Sequence, residues 1–347
     1  MNATRKARRI WRKAAREMPL DMCSIITDLD AVDEARDKCI ALLGRDAAGK
    51  SKHDERRTAE ALLAHGITGL GRLDSSRDRE GWLVPEYSRH IWETVVDRVR
   101  RSQTQPILED LVQSQTHHGW VLPIVIPEHA STGRTHIEAP RLQGLSRDMV
   151  ARYINMDLVY VDQVAAEPHV MAYLSGDAQL AADLTGDPYR ELARDLGVDR
   201  SDAKSIFMSI PYGSGPDRIA SMLRISRGDA VDVIDQWNAR YPDAASWVDE
   251  VRDEAKTGQV RLFDGTRLSV ESPHLGPSYV GQGTGAVLTH EWTIAVHSAL
   301  PAEAELAWPV HDALVVELPD EDARDEIGQT MVDALSELSI PLHGKVE

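Results

Sequence analysis

LVYVD at 158–162 and ELAWPVHDALVVELP at 305–319 are the two stretches on which the reading of this chain turns. The β-branched run LVYV predicts a buried strand that ends at Asp162, and a carboxylate at the end of such a strand is placed to face a cleft. AWPVHDALVVELP predicts two strands joined by a tight turn whose tip carries His311 and Asp312. Between these stretches lie helical patterns from about 165 to 257, interrupted at SGD, TGDP and YGSGP. QVRLF follows, then a turn at Asp264-Gly265, a poorly patterned segment through Ser278 and a helix over about 284–299. A final helix is predicted near 320–338. The first 130 residues are mostly helical in pattern, with turn breaks near Gly44 to Gly49 and around Asp74 to Arg79. Strand, helices, then hairpin is an α+β order, without the βα alternation of a doubly wound sheet. There is no internal repeat, no GxxxxGKS/T loop and no GxGxxG after a strand.

A chain of 347 residues can bury one large core or a few small ones. Nothing in it resembles a signal peptide or an apolar run of about 20 residues, so the expectation is a soluble, cytoplasmic protein with no membrane partner. Cys23 and Cys39 lack metal-ligand spacing and read as reduced bystanders. A net charge of −17 is unfavourable for a broad grip on nucleic-acid phosphates. The charge is segregated, however. Arg5, Lys6, Arg8, Arg9, Arg12, Lys13 and Arg16 cluster around Ile10 and Trp11 at the start of the chain. Such a basic helix suits a backbone phosphate or an acidic partner, and equally a solvated face.

Two aspartates far apart in sequence, each ending an apolar strand, can meet across one sheet. If they do, they suit hard divalent cations, because Mg²⁺ takes oxygen ligands and completes its shell with waters and substrate phosphates. A strand-end Asp is more often a turn or cap residue, so position alone leaves both readings open.

The surrounding residues carry a resemblance. VYVDQVAAEPHVMAYLSGD at 159–177 resembles motif A of the bacterial DNA polymerase I family (family A), with Asp162 on the catalytic aspartate and Glu167 on the glutamate that crowds the sugar 2′ position. PVHDALVVELP resembles motif C, with His311 and Asp312 on its His-Asp pair. RSDAKSIFMSIPYG at 200–213 is similar to motif B and matches it at Arg200, Lys204, Tyr212 and Gly213. TGRTHIEAPRLQ at 132–143, YPDAASWVDEVRDEAKTGQV at 241–260 and GQGTGAVL at 281–288 extend the likeness, which covers roughly 130 to 345.

This resemblance implies a right-hand polymerase architecture with an antiparallel-sheet palm, helical fingers and a reduced helical thumb. Residues 1–130 would be thumb-like, 131–185 and 263–347 palm, and 186–262 fingers. It implies two Mg²⁺ ions (or Mn²⁺) at Asp162, Asp312 and Gln163, with nucleoside triphosphates and a primed DNA template as partners and an accessory protein for added grip. Arg200 and Lys204 would hold the triphosphate. Glu167, Met208, Tyr212, Gly213 and Gln163 would surround the nucleotide, and His311, Arg134 and Gln282 would meet primer or template. Arg200, Lys204, Met208 and Tyr212 recur every four residues and form one winding stripe if they share an α-helix. Without the motifs, the same residues read as a solvated helix face, a helix stop and a turn histidine.

The chain departs from the family at Val164, Ala165, Pro168 and His169 in motif A, at Ala313 in place of the Glu of VHDE, and at His274 and Ser278. Met208 stands where an aromatic usually stacks on the base, with Phe207 one step before it, and Pro211 should strain or end its helix. No exonuclease carboxylates are visible, so no proofreading is expected from this stretch. The leading expectation is a minimal template-directed DNA polymerase of phage or mobile-element type. One alternative is an enzyme joining nucleotides to a short or non-standard acceptor, or without a template. Another is a weakly catalytic nucleic-acid-binding subunit.

Overall fold

The computed structural model describes residues 3–14, 16–48, 52–69, 82–117, 119–126 and 131–347. They divide into two compact units, one of residues 1–15, 125–136 and 157–347, the other of 16–124 and 137–156. The turn expected at Asp74 to Arg79 lies outside the described residues.

The first unit is built on an antiparallel sheet of β1 (Leu158–Val164), β2 (Glu305–Val310), β3 (Ala313–Glu317) and β4 (His343–Val346), in the order β2-β3-β1-β4. Side chains alternate along a strand, and in β1 Val159, Val161 and Gln163 are buried while Tyr160 and Asp162 on the opposite face are half-buried. Val159 and Val161 join Leu306, Leu314 and Val316 in a core with Leu288 and Trp292 of the helix Gly276–Ala299 and with Met331 and Leu335 of the helix Arg324–Ser336. Trp292 is fully buried and its indole N–H donates to the Met331 carbonyl at 2.8 Å. Burying each such large side chain is worth about 1.5–3 kcal/mol.

Several sequence expectations shift. β1 does not end at Asp162 but runs to Val164, because Gln163 and Val164 pair with Gly344 and His343 of β4. β4 itself was not expected. Its Gly344 has a steric reason: a Cβ there would stand 2.5 Å from Leu335 Cδ1 and 3.2 Å from Val161 Cγ1. The helix placed at 284–299 starts at Gly276. Gly281 and Gly283 lie within it and allow close packing, with a Cβ on Gly283 falling 2.8 Å from Leu268. The final helix spans Arg324–Ser336, preceded by a 3₁₀ turn at Glu321–Ala323. The hairpin forms as read, with Val310 paired to Ala313 across the two-residue turn and His311 at φ +52°.

Helices Ala166–Ser175, Pro188–Leu196, Arg200–Ser209, Arg227–Arg240 and Pro242–Ala255 follow β1, broken where the sequence suggested. At SGD, Gly176 takes the left-handed conformation and the Asp177 carboxylate accepts the N–H groups of Leu180 and Ala244. Phe207 is buried edge-on between Tyr189 and Tyr241, at 5.4 and 5.7 Å between ring centroids.

The basic segment at the start of the chain is the helix Ala3–Ala14. It packs against the helix Gly276–Ala299 through Ala7, Ile10 and Trp11, so it belongs with the sheet and not with the rest of the first 130 residues. At its first turn, Thr4 Oγ1 lies 3.2 Å from Nδ1 of the buried His290, and Thr135 Oγ1 lies 3.2 Å from Nε2.

In the second unit, Met22–Leu43 and Arg89–Gln113 pack together, and Arg98, nearly fully buried, makes a two-point ion pair with Asp46 at 2.8 Å. This part is less purely helical than its pattern: Met18–Pro19, Gln115–His117 and Trp120–Val121 form a small sheet of runs too short to show periodicity. Both cysteines are free, and among the described residues no helix is long and apolar enough to cross a membrane.

Burial, with a smaller contribution from the Arg8 charge, lowers the His290 pKa from 6.5 to about 4. The unfolded chain therefore binds a proton in this window that the folded chain refuses, and stability falls as pH drops from about 6.5 towards 4. Between pH 7.5 and pH 5 this one group should cost about 2 kcal/mol. Urea unfolding at the two pH values should show that portion of the loss disappearing in His290→Gln; an undiminished loss would mean that His290 is not buried as a neutral ring.

Candidate active site

The site gathers at one end of β1. Ala313 pairs with Asp162, and the Gln163 N–H donates to the Asp312 carbonyl at 3.2 Å, so Asp162 on β1 lies beside Asp312 in the hairpin turn that opens β3. Each is flanked by a non-glycine residue in the left-handed region, Ala165 at φ +49° just beyond β1 and His311 at φ +52° just before Asp312. Such residues cost about 1–3 kcal/mol each and persist where the surroundings hold them. At Ala165 the bend turns the chain from β1 into the helix Ala166–Ser175 and brings Glu167, in its first turn, back over the strand end.

Glu167 is the hub. Arg134 Nη2 lies 2.6 Å from one of its carboxylate oxygens and 3.9 Å from Asp312 Oδ1, so one guanidinium is shared by two acids. The other oxygen accepts the Tyr212 hydroxyl. Burial first, and then the Glu167 charge, pushes the Tyr212 phenol well above its ordinary range. Gly281 is required opposite this hydroxyl, since a Cβ there would come within 2.9 Å of it. Arg134, Glu167, Tyr212 and Asp312, singled out separately in the sequence, are thus brought together, with Gln282 half-buried beside Gly281 and His311 exposed at the hairpin tip.

Tyr212 does not share an α-helix with Arg200, Lys204 and Met208. That helix ends at Ser209, where Pro211 stops it as expected, although the Tyr212 N–H still reaches the Met208 carbonyl at 3.3 Å. Gly213 then leaves the turn at φ +89°. Met208 is half-buried, and Phe207 is sequestered in the core. Arg200 and Lys204 converge on Tyr189, with the guanidinium carbon 5.4 Å and the ammonium 5.8 Å from the ring centroid. Arg200 Nε also binds Asp187 at 2.6 Å, a contact that lowers the Asp187 pKa.

Gln163 needs a correction as a metal ligand. Its side chain is buried on the opposite face of β1 from Asp162 and donates to Thr289 Oγ1 at 3.2 Å, so it does not face a cation held at Asp162. Among the described residues no group of three or more His, Cys, Asp or Glu side chains is arranged to hold a metal. Asp162 and Asp312 offer a two-carboxylate, all-oxygen set. That chemistry fits Mg²⁺ when substrate phosphates and waters fill the remaining positions.

Sequence reasoning missed Asp187 and Tyr189, which hold the two cations, and Lys345, which pairs with Asp162 across β4 and β1. Asp187 lay in TGDP, which the sequence marked only as a break, and the structure makes it the N-cap of Pro188–Leu196. Lys345 follows the one-in-two spacing of His343 and Lys345, too short a run to identify a strand.

A family model described as DNA polymerase family A matches residues 98–347. The chain is 25% identical over 235 residues to a DNA polymerase theta of Caenorhabditis elegans, covering 60% of this chain and 15% of that protein. It is 26% identical over 247 residues to a DNA polymerase I of Helicobacter pylori, covering 61% of this chain and 28% of that protein. The chain therefore spans less than a third of the length of either relative. In fold it is similar to the POL domain of Pol1 from M. smegmatis, solved in complex with DNA primer-template and dNTP, with a TM-score of 0.76 at 18% identity over 98% of this chain and 68% of that one.

The Glu167 hub predicts an unusual tyrosine. In absorbance titration at 295 nm, the difference between the unaltered protein and Tyr212→Phe should show no phenolate near the ordinary pKa of about 10. Glu167→Gln removes the neighbouring charge and should bring the Tyr212 signal to lower pH, while burial keeps it above that value. Ordinary ionisation of Tyr212 in the unaltered protein would contradict the contact.

Proposed function

Because the chain belongs to DNA polymerase family A, we propose that it is a metal-dependent nucleotidyltransferase that extends a primer 3′-hydroxyl with deoxynucleoside triphosphates on a DNA template and releases pyrophosphate. The single observation that carries this reading is the placement of Asp162 on β1 and Asp312 in the adjoining hairpin turn beside the Arg134–Glu167–Tyr212 cluster. In this reading residues 131–185 and 263–347 serve as palm and 186–262 as fingers. The first 130 residues are thumb-like, except for the helix Ala3–Ala14, which packs with the palm.

Asp162 and Asp312 would hold the divalent ions, helped by the Gln163 carbonyl. Those ions supply charge stabilisation at the attacking and departing oxygens of an in-line displacement. The rest falls to the chain's own side chains. Arg200 and Lys204 bind the triphosphate and offset the charge that builds as pyrophosphate leaves. For Arg200 this means exchanging the Asp187 carboxylate for phosphate oxygens. Glu167, held at both carboxylate oxygens by Arg134 and Tyr212, is a fixed wall against a ribose 2′-hydroxyl and selects deoxynucleotides. Met208 lies against the base and Tyr212 beside the templating position, with Gly213 freeing the chain to turn away. His311, Arg134 and Gln282 face primer and template.

A second reading keeps the chemistry and drops the template, giving short products or extension of a non-standard acceptor. Phe207 favours it: with that ring locked between Tyr189 and Tyr241, only the flexible Met208 is left to meet the base pair.

With Mg²⁺, a primed DNA template and single deoxynucleoside triphosphates, extension should follow the template. Asp162→Asn, Asp312→Asn or chelation of the metal should each reduce it by at least about 10²-fold. Small products formed equally well without DNA would replace the first reading by the second, and full activity in either Asn variant would overturn the site.

A further inference from the structure

In the helix Ala3–Ala14, Arg5, Lys6, Arg9, Arg12 and Lys13 are exposed, while Thr4, Ala7, Ile10 and Trp11 are buried. At about 100° per residue, the five cations fall in one sector of about 120° and the four buried residues in the opposite one. The helix contains no acidic residue. Within a chain of net charge −17, this is a segregated cationic ridge. Its apolar side is fixed, with Trp11 1% exposed against the core and Thr4 tied to His290.

The position of the ridge gives it a use. His290 bridges Thr4 to Thr135, and Thr135 adjoins Arg134, whose guanidinium spans Glu167 and Asp312. The helix that carries the ridge is therefore anchored, through its buried face, two hydrogen bonds from Thr135, the neighbour of Arg134. A 12-residue helix is about 18 Å long, enough to follow several phosphates of a duplex carrying one charge per about 1.7 Å.

We propose that the exposed face of this helix is a phosphate-binding ridge for the backbone of duplex DNA bound at the active site. The choice of DNA as partner rests on the polymerase reading; the cationic face and its anchoring do not. Each phosphate neutralised by a lysine or arginine releases condensed counterions, so the ridge contributes affinity that declines steeply with salt and carries no sequence preference.

The test is fluorescence-anisotropy binding of a primed DNA duplex across a salt series, using the whole chain. Changing Arg5, Lys6, Arg9, Arg12 and Lys13 to Gln should flatten the slope of log affinity against log salt by up to about 4.5, since each phosphate contact contributes about 0.9. Affinity at low salt should weaken at least about tenfold. The pair Arg9→Gln and Arg12→Gln should lose about 1–2 of slope, which keeps the test decisive if the fivefold variant does not fold. A variant exchanging each Arg for Lys and each Lys for Arg should retain the full slope. Unchanged slopes in folded Gln variants, or no duplex binding by the unaltered protein, would overturn the proposal. Primer extension is scored separately: a protein that extends primers with a slope indifferent to the ridge loses this inference and keeps its proposed function. One that needs the ridge to bind but never extends does the reverse.

Discussion

Pairing of Ala313 opposite Asp162, and of Gly344 opposite Gln163, pins the strand Leu158–Val164 along both edges. A slip of one residue on either side would exchange its faces, sending Asp162 into the core among Leu314 and Trp292 and leaving Val161 at the cleft. Burying an unpaired carboxylate costs several kcal/mol, so packing and site chemistry demand the same register. Gly344 and Gly328 reinforce it. A Cβ on either would strike a neighbour within 3 Å, Leu335 in one case and Val346 in the other, so the helix Arg324–Ser336 sits on β4 at a depth only glycine permits.

Charge at the site is managed by sharing. Arg134 lies between Glu167 and Asp312, and Glu167 also accepts the Tyr212 hydroxyl, so the carboxylates are partly balanced before any substrate arrives. The opposite sign is treated alike around Tyr189, where Asp187 and the ring face hold Arg200 and Lys204. These clusters are coupled through space, since the Glu167 charge helps raise the Tyr189 pKa. Acidic and basic groups are each held by fixed partners, and in the proposed reaction this preorganisation lowers the reorganisation that remains.

Legibility in the sequence followed the length of the signal. The hairpin around His311 and Asp312, the helical breaks at SGD and TGDP, and the α+β order were readable because each rests on local turn chemistry or on several residues of periodic pattern. Glu167, Arg134 and Tyr212 were singled out only by way of ordered motifs, and their direct contact, with Arg134 assigned to primer or template, was not foreseen because they lie far apart in the chain. What escaped was decided by tertiary contact. β4 has too few residues to show alternation, Gly276–Ala299 hid its first two turns behind glycines needed for close approach, and the Gln163 side chain is turned inward by a strand that runs two residues past the expected end. Pro211 was read correctly as a stop, yet its consequence, Tyr212 one turn beyond the helix, was not carried through.

The sheet order β2-β3-β1-β4 also has a kinetic side. β1 finds its partners only at residues 313–317 and 343–346, so its hydrogen bonds close very long loops, whereas the hairpin of β2 and β3 and the helices after β1 rely on neighbours close in sequence. Loop-closure entropy delays such distant pairings. The helices therefore have partners before the central strand does, and a hydrophobic strand with two open edges waits while they form. Asp162 puts a charge into what would otherwise be an adhesive valine-rich ribbon. The carboxylate proposed for the metal site is thus also the charge that breaks this ribbon while its partners are still distant.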